Sequence, residues 1–171
     1  VAALTWGLIS QFQFGKMSAA GVATGAVGGL VAITPAAGFV GVMGALAIGF
    51  GAGVLCYAAV QLRPKLGLDD SLDVFSVHGV GGIWGALATG IFAVGAIGGT
   101  EGLIEGNVEI MGTQVIAVVA TLLYSGIVSL IILKVLDLIP GLGLRVSEAD
   151  EDQGLDISQH GERAFVTDGA D

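Results

Sequence analysis

The sequence predicts an all-α membrane protein, a polytopic bundle of transmembrane helices. First, 54% of its 171 residues are hydrophobic and only 12% are charged, a composition too apolar for an ordinary soluble domain of this length. Second, the runs between charges approach the roughly 20 apolar residues that a helix needs to span the hydrocarbon core. Third, these runs are apolar on all sides, unlike the alternating ~10-residue strands of a membrane barrel.

Five apolar segments are predicted to be helical. They are residues 1–14, 17–33, 36–62, 74–94 and 115–138. The first is too short to span a bilayer, so we expect four full spans and one partial span within a transmembrane bundle at 1–144. A hydrophilic tail follows at 145–171. Since the chain starts without Met or a basic leader, we expect a cut end rather than a signal peptide.

The positive charges predict the orientation of these helices. The six Lys and Arg residues are Lys16, Arg63, Lys65, Lys134, Arg145 and Arg163. Threading the helices back and forth places all six on one side, and positive residues stay on the cytoplasmic side. We therefore expect a multi-pass protein of the cell membrane with a cytoplasmic carboxy terminus.

Small residues recur every fourth position in three successive helices. The three stripes are Gly21, Gly25 and Gly29; Gly41, Ala45, Gly49 and Gly53; and Gly82, Ala86 and Gly90. Such stripes let helix backbones approach closely in a membrane. We expect them to serve packing in a tight bundle.

A single histidine, His78, lies in the apolar run "DDSLDVFSVHGVGGIWGALATG". An intramembrane histidine is costly to expose to lipid and indicates a functional site by default. The alternative is a packing histidine bonded to a neighbouring helix. A metal site is disfavoured, because no second His and no carboxylate lies at ligand spacing on the same helix. A proton or substrate relay remains, because imidazole donates at one nitrogen and accepts at the other.

Other chemistries find no support in the sequence. There is no phosphate-binding loop, no Cys-rich metal motif and no basic nucleic-acid patch. The only cysteine, Cys56, is expected to behave as a small hydrophobic residue within a helix. We therefore expect no enzyme activity, no cofactor, no metal and no nucleic-acid partner.

Three separated blocks carry a resemblance to a known family. "GLVAITPAAGFV", "DDSLDVFSVHGVGGIWGALATGIFA" and "GLRVSE…EDQGLDISQHGERAF" resemble, in the same order, the ammonium transporter (Amt/Mep/Rh) family. The resemblance implies an eleven-helix inverted-repeat fold of which this chain is the second part, hence a fragment. It also implies a homotrimer with one pore per subunit, which passes ammonium or ammonia across the lipid bilayer.

The same resemblance assigns roles to particular residues near the histidine. His78 matches the second of the family's paired pore histidines, and Val74 matches a residue that lines the pore. Asp70 and Asp73 match carboxylates near the cytoplasmic mouth, where a structural role is at least as probable as ion attraction. The partner histidine and the outer ammonium site belong to helices that would precede Val1.

The tail is strongly acidic, with two arginines and eight acidic residues from Arg145 to Asp171. Composition alone is equally consistent with a solvated, disordered tail. The resemblance instead implies a regulatory tail and a PII-type signal protein as a possible partner. The matching tail residues are Gly143, Arg145, Gly154, Asp156, His160 and Glu162. Two functions therefore stay open, an ammonium transporter and a membrane ammonium sensor that signals through its tail, with a purely structural membrane protein as a third.

Overall fold

The computed structural model describes residues 1–162, and those residues are almost entirely helical. The α-helices are α1 (Ala2–Phe14), α2 (Ala19–Ile33), α3 (Val42–Leu62), α4 (Val80–Phe92), the single turn α5 (Gly95–Gly98), α6 (Glu109–Asp137) and α7 (Glu148–Gln153). Within this part of the chain the only β-type pairing is an isolated bridge between Val40 and Ala93. The predicted all-α class is confirmed.

Four helical segments are long and apolar enough to cross a membrane. They are Ala19–Ala36, Val42–Leu66, Phe75–Phe92 and Glu109–Asp137. The helix α1, with 13 residues, falls short of the roughly 20 that a span requires. This agrees with the expectation of four full spans and one partial span.

Residues Val1–Thr121 form one compact unit, in which α1 to α4 pack together. The helices α1, α2 and α3 contact one another, and α4 packs on α2 and α3. One core cluster joins Ile48 and Ala52 to small residues of the neighbouring elements, and a second joins Trp6, Cys56 and Tyr57. The indole of Trp6 meets the ring of Tyr57 edge-on, with 5.2 Å between centroids.

Glycines allow the closest helix contacts in this unit. A Cβ added at Gly25 would lie 2.7 Å from the Cβ of Trp6, and one at Gly53 would lie 2.9 Å from the backbone oxygen of Ala2. In α4 the predicted stripe is in close contact only in part, because a Cβ at Gly90 would lie 3.0 Å from Gln114 Cγ, while the contact with α2 lies at Gly85. A Cβ at Gly85 would collide with the carbonyl oxygen of Ala32, whereas one at Gly82 would meet nothing within 4 Å.

Two helix boundaries differ from those expected. The third helix begins at Val42 rather than near residue 36, because Thr34–Ala36 form a 3-10 turn and Gly38 takes a positive φ of 84°. A left-handed residue of this kind interrupts a helix and favours glycine. The last long helix begins at Glu109, six residues before position 115, with its acidic side chain in the first turn, where it complements the helix dipole.

Residues Leu122–Asp171 form the second unit, described up to Glu162. Here α6 continues to Asp137, and α7 is capped by Ser147, whose hydroxyl accepts from the amide of Asp150. A π-helical turn follows at Asp156–His160. The last nine tail residues, 163–171, lie outside the described part. The predicted functional boundary between residues 144 and 145 stays a prediction.

Candidate functional site

His78 lies on a π-helical turn, Phe75–Gly79, which leads directly into α4. The amide of Val80 donates to the carbonyls of both Phe75 and Val77, so the backbone here is wider than in an α-helix. Single π-turns inside α-helices are rare and are frequent at functional sites. His78 therefore occupies an irregular part of a helical segment that is long and apolar enough to cross a membrane.

The two faces of this turn differ sharply in exposure. Ser76 and Val77 are buried against the bundle, at about 3% exposure each. The side chains of His78, Val74 and Phe75 are exposed, with Val74 at 51% and Phe75 at 55%. An imidazole and two apolar side chains are thus exposed on the free side of the turn, and the role of His78 and Val74 in a pore stays a prediction.

Asp70 caps the start of this helix. Its carboxylate accepts hydrogen bonds from the amides of Val74 at 2.8 Å and Phe75 at 2.9 Å, and a longer one from Ser76 at 3.4 Å. The first amides of a helix have no partner within it, and a carboxylate at this end also complements the helix dipole. Both carboxylate oxygens of Asp70 are therefore engaged by the helix that presents His78.

Asp73 has an unusual backbone conformation and forms an ion pair with Arg63. Its φ is +55°, the only positive value for a non-glycine residue in the described part of the chain. The Arg63 Nη1 lies 2.8 Å from Asp73 Oδ1, in an ion pair that is about a quarter exposed on each side. The two atoms are close without hydrogen-bond alignment, and this oxygen is shielded from solvent. Arg63 also donates to the backbone carbonyl of Asp70.

Cys56, on the neighbouring helix α3, contacts the turn on its buried side. Its thiol is fully buried and donates to the carbonyl of Val77, with 3.6 Å between sulfur and oxygen. The sulfur fits there because Gly28 and Gly81 flank it; a Cβ at those positions would lie 3.4 Å and 3.2 Å from the sulfur. The carbonyl of the residue before His78 is therefore bonded to a second helix.

A cavity lies elsewhere in this unit. It has a volume of about 430 Å³ and is lined by residues that include Pro35, Thr89, Asn107, Thr113 and Gln114. None of its lining residues belongs to the π-helical turn. No group of three or more potential metal ligands is found among residues 1–162.

The tail residues form a small local structure within the second unit. Arg145 donates from Nη2 to both carboxylate oxygens of Glu151, at 2.8 and 3.0 Å, and from Nε at 3.1 Å. Ser158 donates to the carbonyls of Asp150 and Gly154. The predicted tail positions Asp156 and His160 are exposed on the π-helical turn, and Glu162 follows it. Gly143 precedes α7, and Gly154 takes a positive φ of 95° at its end.

Sequence reasoning missed two residues that contact the turn of His78 or the segment just before it. From the sequence, Arg63 is used only as one of the positive charges that predict the membrane orientation, and Cys56 only as a small hydrophobic residue. The pattern "LDDSLD" before an apolar helix is a cap signal that identifies Asp70 as a candidate. The contacts of Arg63 and Cys56 span 10 and 21 positions of the chain, so no local pattern reveals them.

Comparisons with known proteins place this chain and its fold in a family. The model of the Ammonium Transporter Family matches residues 1–165. The chain is 46% identical to ammonium transporter Amt1 of Archaeoglobus fulgidus over 166 residues, which are 97% of this chain and 42% of that protein. It superposes on Saccharomyces cerevisiae Mep2 with a TM-score of 0.85 at 38% identity, over 99% of this chain and 40% of Mep2.

A further solved structure, described as a sensor Amt protein, matches with a TM-score of 0.77 at 26% identity, over 92% of this chain and 38% of that one. The chain thus spans about two fifths of the length of the relatives it matches. It is a multi-pass membrane protein that belongs to the ammonium transporter family. The predicted resemblance is confirmed, and the family is one of membrane transporters rather than of enzymes.

Proposed function

We propose that this chain is the carboxy-terminal part of a transporter that passes ammonium or ammonia across the cell membrane, and that His78 lines its pore. Family membership supports the substrate, and the length of the relatives supports a longer parent protein. The observation that carries the role of His78 is its place on the free side of an irregular turn in a membrane-spanning segment. The backbone just before it is bonded to Asp70 through the amide of Val74 and to Cys56 through the carbonyl of Val77.

The chemistry of the substrate fits such a surface. Ammonium would lose its hydration at a large cost in an apolar passage, whereas ammonia is a small neutral amine. A passage lined by apolar groups such as Val74 therefore favours the neutral form and excludes ions. The imidazole of His78 offers the polar contact that such a passage otherwise lacks, because an imidazole can donate at one nitrogen and accept at the other.

Several further features of the whole protein belong to this proposal. They are a homotrimer with one pore per subunit, a plasma-membrane location with a cytoplasmic tail, and regulation through that tail by a PII-type signal protein. The six positive residues of the sequence support the orientation, because helix threading places them on one side. The local structure of the tail from Arg145 to Ser158 supports a docking role, because it presents a folded segment rather than a solvated coil.

The test is ammonium uptake at low external concentration by the full-length protein in a transporter-deficient cell. His78→Ala is compared with wild type at matched membrane abundance. We expect roughly tenfold or greater loss of flux, or leakage of ions, because a positioned polar contact is removed from the transport path. Thr24→Ala is the control, because its hydroxyl is already bonded to the carbonyl of Ala20 on its own helix. Unchanged flux and selectivity in His78→Ala would make His78 a packing residue.

A membrane ammonium sensor is the second candidate function, favoured by the fold shared with the sensor Amt protein. A sensor would keep ammonium-dependent signalling when flux is abolished. Deleting the residues after Leu144 in the full-length protein separates the two functions. A transporter keeps measurable uptake without its tail, whereas a sensor loses its ammonium response and its uptake is incidental.

A further inference from the structure

The segment that joins α3 to the turn of His78 contains the only described side-chain ion pair of the first unit. Arg63 lies just after α3, and Asp70 and Asp73 lie just before the π-helical turn. The guanidinium of Arg63 pairs with the Asp73 carboxylate and also donates to the Asp70 carbonyl. The Arg63 side chain therefore contacts both Asp70 and Asp73, in the segment that leads into the helix of His78.

We propose that Arg63 is a positioning residue, which sets the place of His78 through Asp70 and Asp73 without touching the substrate. The proposal rests on the proposed function, because it assumes that the placement of His78 matters for transport. It concerns a residue ten positions from Asp73 and fifteen from His78, beyond the reach of any helical repeat.

The first step of the argument is the backbone at Asp73. A non-glycine residue in the left-handed region costs about 1 kcal/mol or more and persists only when its surroundings hold it there. The ion pair at 2.8 Å, with one oxygen shielded from solvent, is the contact that holds Asp73. The amide of Val77 then donates to the Asp73 carbonyl at 2.8 Å, so the constraint passes into the turn.

The second step is the cap. The Asp70 carboxylate bonds the amides of Val74 and Phe75, and these bonds require its backbone to stay at the end of the helix. Arg63 donates to the carbonyl of the same residue. The amide of Asp73 donates to that carbonyl as well, at 3.1 Å, which closes the turn between the two acidic residues. We therefore expect a displacement of the Arg63 guanidinium to displace both the Asp70 cap and the turn between Asp70 and Asp73.

The chemistry of arginine suits this dual contact. A guanidinium is planar and always charged, and its several N–H groups donate in fixed directions, so it reaches a carboxylate and a carbonyl at once. A lysine in its place offers a compact point charge on a flexible stem. Arg63→Lys should keep the attraction to Asp73 but lose the geometry toward Asp70, and so restore the function only in part.

The chain offers a matched control. Lys65 lies two residues away in the same 3-10 turn, Arg63–Leu66, and is exposed. Lys65→Ala removes the same positive charge from the same side of the membrane. Any effect of Arg63→Ala on topology or on surface charge should therefore be reproduced by Lys65→Ala, whereas an effect on the turn of His78 should not.

Two measurements on the full-length protein test the proposal. Hydrogen exchange of the purified protein reports on the amides of 74–77. Uptake at matched abundance is measured for Arg63→Ala alone and combined with His78→Ala. In Arg63→Ala we expect the exchange of these amides to rise roughly tenfold, because one charge-assisted hydrogen bond and one ion pair are lost. We expect uptake to fall roughly tenfold, and to fall no further in the double variant than in His78→Ala.

Unchanged exchange in Arg63→Ala would overturn the proposal, whether or not uptake falls, because Arg63 would then not hold the turn. A further fall in the double variant would overturn it too, because Arg63 would then act independently of His78. If exchange rises but His78→Ala leaves uptake unchanged, the proposed function fails while the effect of Arg63 on the turn stands.

A second variant covers the case in which Arg63→Ala does not accumulate. Asp73→Asn removes the ion pair, keeps the size of the side chain, and tolerates a left-handed φ about as well as aspartate does. It should raise the same amide exchange as Arg63→Ala. Normal exchange in Asp73→Asn would overturn the proposal by itself.

Discussion

Among the glycines of α4, Gly85 makes the tightest approach to α2. A Cβ there would collide with the carbonyl oxygen of Ala32, with the carbonyl carbon at 2.9 Å and the Cα at 3.0 Å. All three are backbone atoms, so no rotamer change relieves the clash and one helix must move. We therefore expect Gly85→Ala to separate the two helices and destabilise the bundle.

The size of the effect follows from two opposed terms. Replacing glycine by alanine inside a helix gains about 1 kcal/mol from backbone propensity. Overpacking a tight contact costs about 1–3 kcal/mol, and displacement of a helix lies at the upper end. We expect Gly85→Ala to lose about 2 kcal/mol of unfolding free energy on balance, where the same change at an open position would gain up to about 1 kcal/mol.

The chain contains that open position on the same helix. Nothing lies within 4 Å of a Cβ at Gly82 in the described residues, so Gly82→Ala is the matched control. Thermal unfolding of the purified full-length protein in detergent compares both variants with wild type. A midpoint for Gly85→Ala equal to or above that of Gly82→Ala would refute the reasoning, because the helix contact would then tolerate the extra methyl group.

Two further predictions concern a buried thiol and an exposed ion pair. Cys56 is fully buried, so a maleimide should leave it unmodified in the folded full-length protein and should label it after denaturation. Mass spectrometry of the peptide that contains Cys56 measures the labelling. Labelling of the folded protein would contradict the packing of Cys56 beside Val77. Glu151→Gln, which removes the carboxylate from an exposed pair with Arg145, should change the unfolding free energy by less than about 1 kcal/mol. A larger loss of unfolding free energy in a thermal or denaturant titration would show that this ion pair stabilises more of the protein than the local structure of the tail.

The sequence anticipated the class and the spans because both depend on composition over long windows. Four runs of apolar residues are enough to predict four membrane-spanning helices, whatever their neighbours are. The helix start at Val42 was misjudged because apolar residues continue through the turn at 34–41, where a 3-10 turn and Gly38 interrupt the helix. Hydropathy does not register such a backbone change.

The glycine stripes illustrate the limit of periodicity. A repeat of four predicts that a helix has a smooth face, but several such faces coexist in a helix as rich in small residues as α4. The predicted face contained Gly82, whereas the contact with α2 uses Gly85. The choice between them depends on where the backbone of Ala32 lies, which is a property of two helices together.

For the candidate site, the sequence by itself determined that an ionisable group lies within a membrane-spanning segment, because one histidine in an apolar run is visible without any structure. The tertiary structure decided how that group is presented. The ion pair of Arg63 with Asp73 and the bond from the Cys56 thiol to Val77 join residues 10 and 21 positions apart, whereas the cap by Asp70 is local. Short-range patterns encode where a helix lies, while the irregular turn that positions His78 is held by partners that only folding brings together.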